Sequence, residues 1–259
     1  VYILEPWVLR VFAELAWGYS IRLPGYAKRQ SSHTLPPPST LIGALAYPVA
    51  FGTGECFLEG KNLVSSAQKF MSCILAASAR YTENSVASLT EDINRYLIAQ
   101  FQKKERRKEP AYRFGAIPVG KVYAPSQEME FVYALDGESC SKIFGDKWKE
   151  KLISASYSII RLGSKEGIVS IKHAELQKSK EIKGEKITTP FYFPQDSVNL
   201  ATIKNEYYVE EFWEVDYTWG NVNAPRLYIV PGTRSPIRSK VVEVVAKRAF
   251  EVEKYAIPF

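Results

Sequence analysis

The run Ser31-Ser32-His33-Thr34-Leu35-Pro36-Pro37-Pro38-Ser39-Thr40-Leu41-Ile42-Gly43-Ala44-Leu45-Ala46 constrains the fold of this chain more than any other stretch. Ahead of it, Trp7, Leu9, Val11, Ala13, Leu15 and Trp17 share one face of an extended segment with Arg10 and Glu14 on the other, the period of two of a strand. Three consecutive prolines hold the connector extended, and Pro38 presets the backbone for a helix whose first turn Ser39 or Thr40 can cap. From Ser39 to about Tyr47 the sequence is apolar on nearly every side, and Gly43, Ala44 and Ala46 permit close packing on a sheet; Pro48 is expected to end the helix. A strand, a rigid polar loop and a buried helix therefore follow one another.

The loop ahead of the prolines carries Arg22, Lys28, Arg29, Gln30, Ser31, Ser32 and His33, donors suited to a phosphate backbone beside free helix N-terminal amides. His33, Tyr26 and Lys28 also lie close in sequence, and such groups can cleave RNA without a metal by moving protons to and from the 2′-hydroxyl and the leaving oxygen. The alternative is that His33 only hydrogen-bonds RNA or its own loop. His173, beside a charged stretch, reads as structural.

A second concentration of charge points the same way. Between Lys103 and Lys121 stand Lys103, Lys104, Arg106, Arg107, Lys108, Arg113 and Lys121 against only Glu105 and Glu109. Such a run can be the solvated face of a helix. Here Tyr112, Phe114 and Tyr123 interleave with the cations beyond the expected helix end, as a surface that tracks a backbone and stacks on bases requires. By contrast Glu206, Glu210, Glu211, Glu214 and Asp216 form an acidic strand without a basic residue. The net charge of +6 is thus unevenly distributed, and 16 Tyr, 13 Phe and 5 Trp supply rings for core filling or stacking.

Other chemistry is excluded by what the chain lacks. Cys56, Cys73 and Cys140 are widely spaced, with only two histidines to assist, so neither a zinc site nor a disulfide framework is indicated. Gly54 to Lys61 has five residues between its glycines and no Ser or Thr after the lysine, which rules out a phosphate-binding loop. No His-Glu-x-x-His or Gly-x-Ser-x-Gly occurs, and no metal or cofactor is expected. No apolar run approaches the roughly 20 residues of a membrane span, and a reduced, cytoplasmic setting is expected.

Along the chain, residues 70–81 read as a second strand, a helix being the alternative. Ser88-x-x-Glu91 is a capping-box pattern, and Ile93, Leu97 and Phe101 at four-residue spacing predict an amphipathic helix with a cationic end. An irregular hairpin from Ala111 to Pro125, a strand from Glu130 to Leu135, a turn at Asp136-Gly137, a helix around Trp148, Leu152 and Ala155, and a last strand from Ile168 to Ile171 follow. This order is the βαββαβ pattern of α+β ferredoxin-like, RRM-like folds. It predicts one domain over 1–173 with a basic insertion at about 82–128. Lys172 to Lys186 reads as a linker, and the remainder of 174–259 as a smaller β-rich domain.

The polar loop leading into Leu35-Pro36-Pro37-Pro38-Ser39-Thr40-Leu41-Ile42-Gly43-Ala44-Leu45 resembles the N-terminal signature of the fifth CRISPR-associated family of the RAMP superfamily, in its archaeal type I-A form. Arg161-Leu162-Gly163-Ser164-Lys165-Glu166-Gly167 is similar to that family's Leu-Gly-Arg-Ser/Lys-Glu element, with Ser164 in place of the usual basic residue and Lys165 following it. The resemblance implies a non-catalytic subunit that grips the 5′ handle of a guide RNA at one end of a Cascade effector. It implies that the insertion at about 82–128 is a thumb that meets the adjacent subunit or closes over bases, and that the protein contacts the backbone and large subunits. On this reading Arg22 to His33, Ser39, Thr40, Arg106, Arg107, Tyr112, Arg113, Lys121, Arg161, Ser164 and Lys165 face RNA. A type I-C relative cuts precursor RNA instead, a precedent for the alternative in which His33 works with Tyr26 or Lys28. A third possibility is a protein-only assembly module whose acidic strand docks a basic partner.

Overall fold

A computed structural model of the chain describes residues 6–23, 31–53, 58–59, 64–65, 67, 70, 72–97, 102–212 and 226–259. In chain order the first part comprises β1 (Pro6–Leu15), β2 (Gly18–Tyr19), α1 (Pro38–Thr53), β3 (Leu58–Glu59), β4 (Val64–Ser65), β5 (Ile74–Tyr81), β6 (Ser88–Leu97), β7 (Phe114–Tyr123), β8 (Glu128–Asp136), α2 (Gly137–Phe144), α3 (Trp148–Tyr157) and β9 (Val169–Lys178). There follow β10 (Glu181–Lys183), β11 (Lys186–Thr189), β12 (Phe193–Pro194), β13 (Val198–Lys204), β14 (Tyr207–Phe212), β15 (Arg226–Arg234), β16 (Ile237–Ser239), β17 (Val242–Ala246), β18 (Arg248–Val252) and β19 (Tyr255–Pro258).

The alternation read in the first strand decides the layering. Strands β5, β8, β1 and β9 lie side by side in that order, each pair antiparallel. Leu9, Val11, Ala13 and Leu15 of β1 are buried in one core with Leu41 and Leu45 of α1 and Trp148 and Leu152 of α3. Val8, on the opposite face, packs with Val132 and Ala134 of β8 and with Phe250, Val252 and Ile257 of β18 and β19. The sheet is therefore covered by helices on one side and by C-terminal strands on the other, so both faces bury apolar surface. Arg10 and Glu130, also on the second face, join at 2.7 Å; Arg80 reaches Glu130 at 2.7 Å, Glu175 meets Arg10 at 2.5 Å, and Glu253 of the β18–β19 turn meets Arg10 as well.

Several expectations need correction. Residues 88–97 form strand β6, paired antiparallel along its length with β7 in a long hairpin, and not a helix. The four-residue spacing of Ile93 and Leu97 suits one face of a helix, but four is also twice the strand period, and backbone pairing with β7 decides between them. Ala111–Pro125 accordingly contains a regular strand. Helix α1 continues through Pro48 to Thr53. Ala44, whose carbonyl loses a donor to the proline, lies on the half-buried side of the helix, where water can serve it. Asp136 does not merely mark a turn: its carboxylate accepts from Ser139 N at 3.1 Å and caps α2. Strand β9 runs to Lys178 and β10 occupies 181–183, so the stretch expected as a linker is largely paired strand, and the expected boundary at 173 falls inside β9. Cys73 and Cys140, expected to be free, are joined as a disulfide with Cα atoms 4.9 Å apart, tying the turn before β5 to α2. Cys56, the expected phosphate-loop decoy at 54–61 and Phe101 lie outside the described residues, apart from two residues of β3.

Candidate nucleic-acid interface

Close backbone packing gathers one surface around β2 and the residues that follow it. Ser20 donates its hydroxyl to Gly120 O at 2.8 Å, and His33 N donates to Ile21 O at 2.8 Å. Arg22 bridges to Ser32, which brings Ser31 beside the base of the hairpin. Gly120 makes that approach possible: a Cβ there would stand 2.3 Å from Ser32 N. From the other side, the turn at 161–167 folds onto β2. Gly163 adopts φ +65°, with Ile21 packed where a side chain would project. Trp17 Nε1 donates to Glu166 O at 2.5 Å. Trp17 in turn lies 5.6 Å from the Tyr123 ring and 5.8 Å from Lys121 Nζ.

The segments singled out in the sequence therefore meet. The stretches carrying Arg22 and Ser31, Lys121 and Tyr123, and Arg161 to Lys165 pack side by side around β2 and Trp17, with Thr40 of α1 joining Arg161 and Gly163 around a neighbouring cleft. Arg22, Arg161 and Lys165 are exposed, whereas Ser39, Thr40 and Ser31 are half-buried. The Ser164 hydroxyl is buried and has no hydrogen-bond partner among the described residues. Lys121 is paired with Asp92 at 2.9 Å. Hydrogen bonds from Tyr123 and then Lys121 hold the Asp92 carboxyl below the usual carboxylate range, and the same contact raises Lys121.

Two predicted donors are withdrawn from solvent. His33 is 1 % exposed, its Nδ1 lies 3.1 Å from Glu210 Oε1, and its ring meets Phe212 edge-on. Ser32, also 1 % exposed, is bonded through its hydroxyl to Ile21 N at 3.0 Å. Neither reaches a ligand on the surface, because the polar loop is used to seat the chain against β14. Glu210 also accepts from Thr34 N at 3.1 Å, and Thr34 contacts the Tyr208 hydroxyl at 2.7 Å. The acidic strand is thus partly internal: Glu210 is buried and Glu206 pairs with Lys240 at 2.6 Å. Tyr26, Lys28, Arg29, Gln30, Glu214 and Asp216 lie outside the described residues.

The cationic tip of the hairpin is separate from this surface. Arg106, Arg107, Tyr112 and Arg113 are exposed on two short 3-10 turns, with the Arg106 guanidinium 5.2 Å from the Tyr112 ring centroid and Arg107 Nε donating to Gln102 O at 2.9 Å. The strands between tip and base span about 30 Å at the usual rise per residue. Sequence reasoning missed the aromatic component of the base: Trp17 was assigned to the strand's core face and is instead half-exposed beyond its end. It also missed Tyr47 and Ile160 around the Thr40 cleft. Among the described residues no group of three or more His, Cys, Asp or Glu could hold a metal ion, and no helix is long and apolar enough to cross a membrane.

No family model matches the chain. It is 41 % identical over 244 residues to the CRISPR-associated protein Cas5 3 of Saccharolobus solfataricus, covering 94 % of this chain and 95 % of the relative. It is 40 % identical over the same length, with the same coverage, to the CRISPR system aCascade subunit Cas5 1 of that organism. A crystal structure of a CRISPR protein from Archaeoglobus fulgidus has a similar fold, with a TM-score of 0.62 at 20 % identity, covering 96 % of this chain and 98 % of that one. Identity at this level over nearly the whole of both chains places the protein in the Cas5 family of CRISPR-associated proteins.

Proposed function

We propose that this chain is the guide-RNA 5′-handle-binding subunit of a type I-A Cascade interference complex, acting in the cytoplasm without catalysing RNA cleavage. The observation that carries the reading is the convergence of the stretches carrying Arg22, Ser31, Lys121 and Arg161 to Lys165 around β2, beside the base of a basic hairpin. Arg22, Arg161 and Lys165 are exposed cations suited to phosphates, and the Trp17 and Tyr123 rings beside Lys121 suit unpaired bases. The relatives' names support an assembly role, one being an aCascade subunit. The sheet order β5-β8-β1-β9, with helices on one side, fits a ferredoxin-like domain, and the β6–β7 hairpin takes the part of the thumb. Its exposed Ile93, Leu97 and Phe114 suit contact with the backbone subunit, leaving the remaining surface for the large subunit. The burial of His33 against Glu210 argues against its use as a general acid or base.

The test is incubation of the purified protein with labelled repeat RNA in EDTA, with a scrambled RNA alongside and binding and cleavage read from the same samples. Repeat-selective retention without products is expected. Site-specific products that disappear in His33→Ala would overturn the non-catalytic reading. Absence of RNA retention, alone and with the partner subunits, would favour a protein-only module.

A further inference from the structure

Strand β6 is paired to β7 without a break in register, from Ser88 opposite Tyr123 to Leu97 opposite Phe114. Just before it, Ala87 N donates to Ile237 O at 3.0 Å and Ile237 N donates to Ala87 O at 2.8 Å, so Ala87 turns its peptide groups away from β7. Alternation along the strand turns those of Leu89, Glu91, Ile93, Arg95 and Leu97 the same way. The far side of β7 agrees: Ala124 N donates to Trp17 O at 2.7 Å towards β2, which leaves Tyr123, Lys121 and Val119 to bond Ser88, Thr90 and Asp92. Among the described residues, only Ile237 pairs with the outer edge. Soluble proteins blunt such an edge with lysine, proline or a bulge, and Ser88–Leu97 contains none of the three. Ile93 and Leu97 are 72 % and 60 % exposed on one face of the strand, and Glu91 and Arg95 are exposed on the same face.

We infer that the free chain pairs with a second copy of itself along this edge, the two β6 strands running antiparallel about a two-fold axis at Ile93. The order of side chains carries the inference. The open positions run from Leu89, next to the Ile237 bridge, to Leu97 at the end of the strand, and Ile93 is their midpoint. Full overlap of two copies sets Ile93 against the second copy's Ile93, Leu89 against its Leu97 and Glu91 against its Arg95. The same patch serves on both sides, so the contact closes at a dimer. Centring on Glu91 or on Arg95 would oppose like charges, and centring one residue away from Ile93 would set each charge against an apolar side chain; one register is therefore favoured. A contact of this size is weak and reversible. It does not depend on RNA binding. Under the assembly reading above, the backbone subunit takes the same hairpin, so the dimer is a state of the unassembled chain, in which an edge otherwise open to foreign strands is covered.

The test is sedimentation of the full chain without RNA over about 1–200 µM, the range in which small protein contacts form. A monomer–dimer equilibrium is expected. Glu91→Arg and Arg95→Glu should each weaken it at least tenfold, roughly, because each creates two like-charged pairs across the two-fold axis. An equimolar mixture of the two variants restores opposite charges at both pairs and should recover the association of the wild type. Ile93→Cys in a Cys56→Ser background should give a disulfide-linked dimer on oxidation, since directly opposed residues stand within disulfide reach; Lys104→Cys at the exposed hairpin tip should not. A wild type that stays monomeric throughout, with no cross-link at Ile93→Cys, would overturn the pairing. Association left unchanged by both charge variants would overturn it too, as would variants that melt like the wild type yet fail to associate when mixed.

Discussion

Replacing Glu130 by Gln tests how much a buried charge that links three strands of the central sheet, β5, β8 and β1, contributes to stability. The carboxylate is 1 % exposed and accepts from Arg10 Nε at one oxygen and Arg80 Nε at the other, both at 2.7 Å. The amide keeps one acceptor and turns a donor towards the second guanidinium, leaving cations with side chains 6 % and 11 % exposed short of compensation. A charge-assisted hydrogen bond contributes about 1.5–3 kcal/mol, and breaking a buried pair costs about 3–5 kcal/mol. For a chain of this size that corresponds to a fall in Tm of about 10 °C. Glu175→Gln and Glu253→Gln remove carboxylates from the same Arg10, but their side chains are 37 % and 53 % exposed, so each should cost less than about 1 kcal/mol. Calorimetry and urea titration of the three variants measure the contrast. A Glu130→Gln protein that melts within about 2 °C of wild type, or a Glu253→Gln protein that falls as far, would refute the reasoning.

Gly120→Ala should destabilise by about 1–3 kcal/mol and weaken RNA retention, because the new methyl would drive the Ser31–Ser32 backbone from the hairpin base; melting and filter binding on one preparation check it. Burial holds the phenols of Tyr19, Tyr81, Tyr133, Tyr192 and Tyr208 above their ordinary range. The unfolded chain therefore loses these protons first: their contribution is fully present below about pH 10 and is lost as pH rises towards the raised native values. An absorbance titration should show these five ionising only with unfolding, and free titration of the folded protein would contradict their burial. Reducing the Cys73–Cys140 disulfide, which spans 67 residues, should cost about 4 kcal/mol on loop-closure entropy, measured as the difference in melting with and without reductant. Thiol alkylation of the unreduced, unfolded chain at both cysteines would show that the bond does not form.

The parts of the fold that were legible in the sequence are those that burial marks. β1 declared itself through the alternation of its helix-facing apolar residues with Arg10 and Glu14, and α1 through a run apolar on nearly all sides. The hairpin was misread because β6 is solvated: with Ile93 72 % exposed and Leu97 60 % exposed, no buried face imposes alternation, and a chance capping box supplied the wrong punctuation. At the candidate site, the identities of Arg22, Lys121 and Arg161 were visible as cations, but their meeting depends on Gly120 and Gly163, whose tight approaches leave no periodic trace. His33 illustrates the converse. Its neighbours in sequence suggested a surface loop, while its partner, Glu210, is 177 residues away. The C-terminal strands looked separable because their own alternation is regular, yet Val252 and Ile257 complete the core against β1.

That last contact sets the order in which the protein can be made. Arg10 and its partner Glu253 are 243 residues apart, so one face of β1 stays uncovered until β18 and β19 have left the ribosome. At ordinary rates of synthesis the interval is roughly 10–50 s; Val8 is bare throughout it, and Val132, Ala134 and the Arg10–Glu130 pair are bare for its second half. The nascent chain can raise its helical side early, but the sheet beneath remains open to other chains. Chaperone demand and loss to aggregation during production should therefore track translation of β18 and β19 more closely than the stability of the folded molecule.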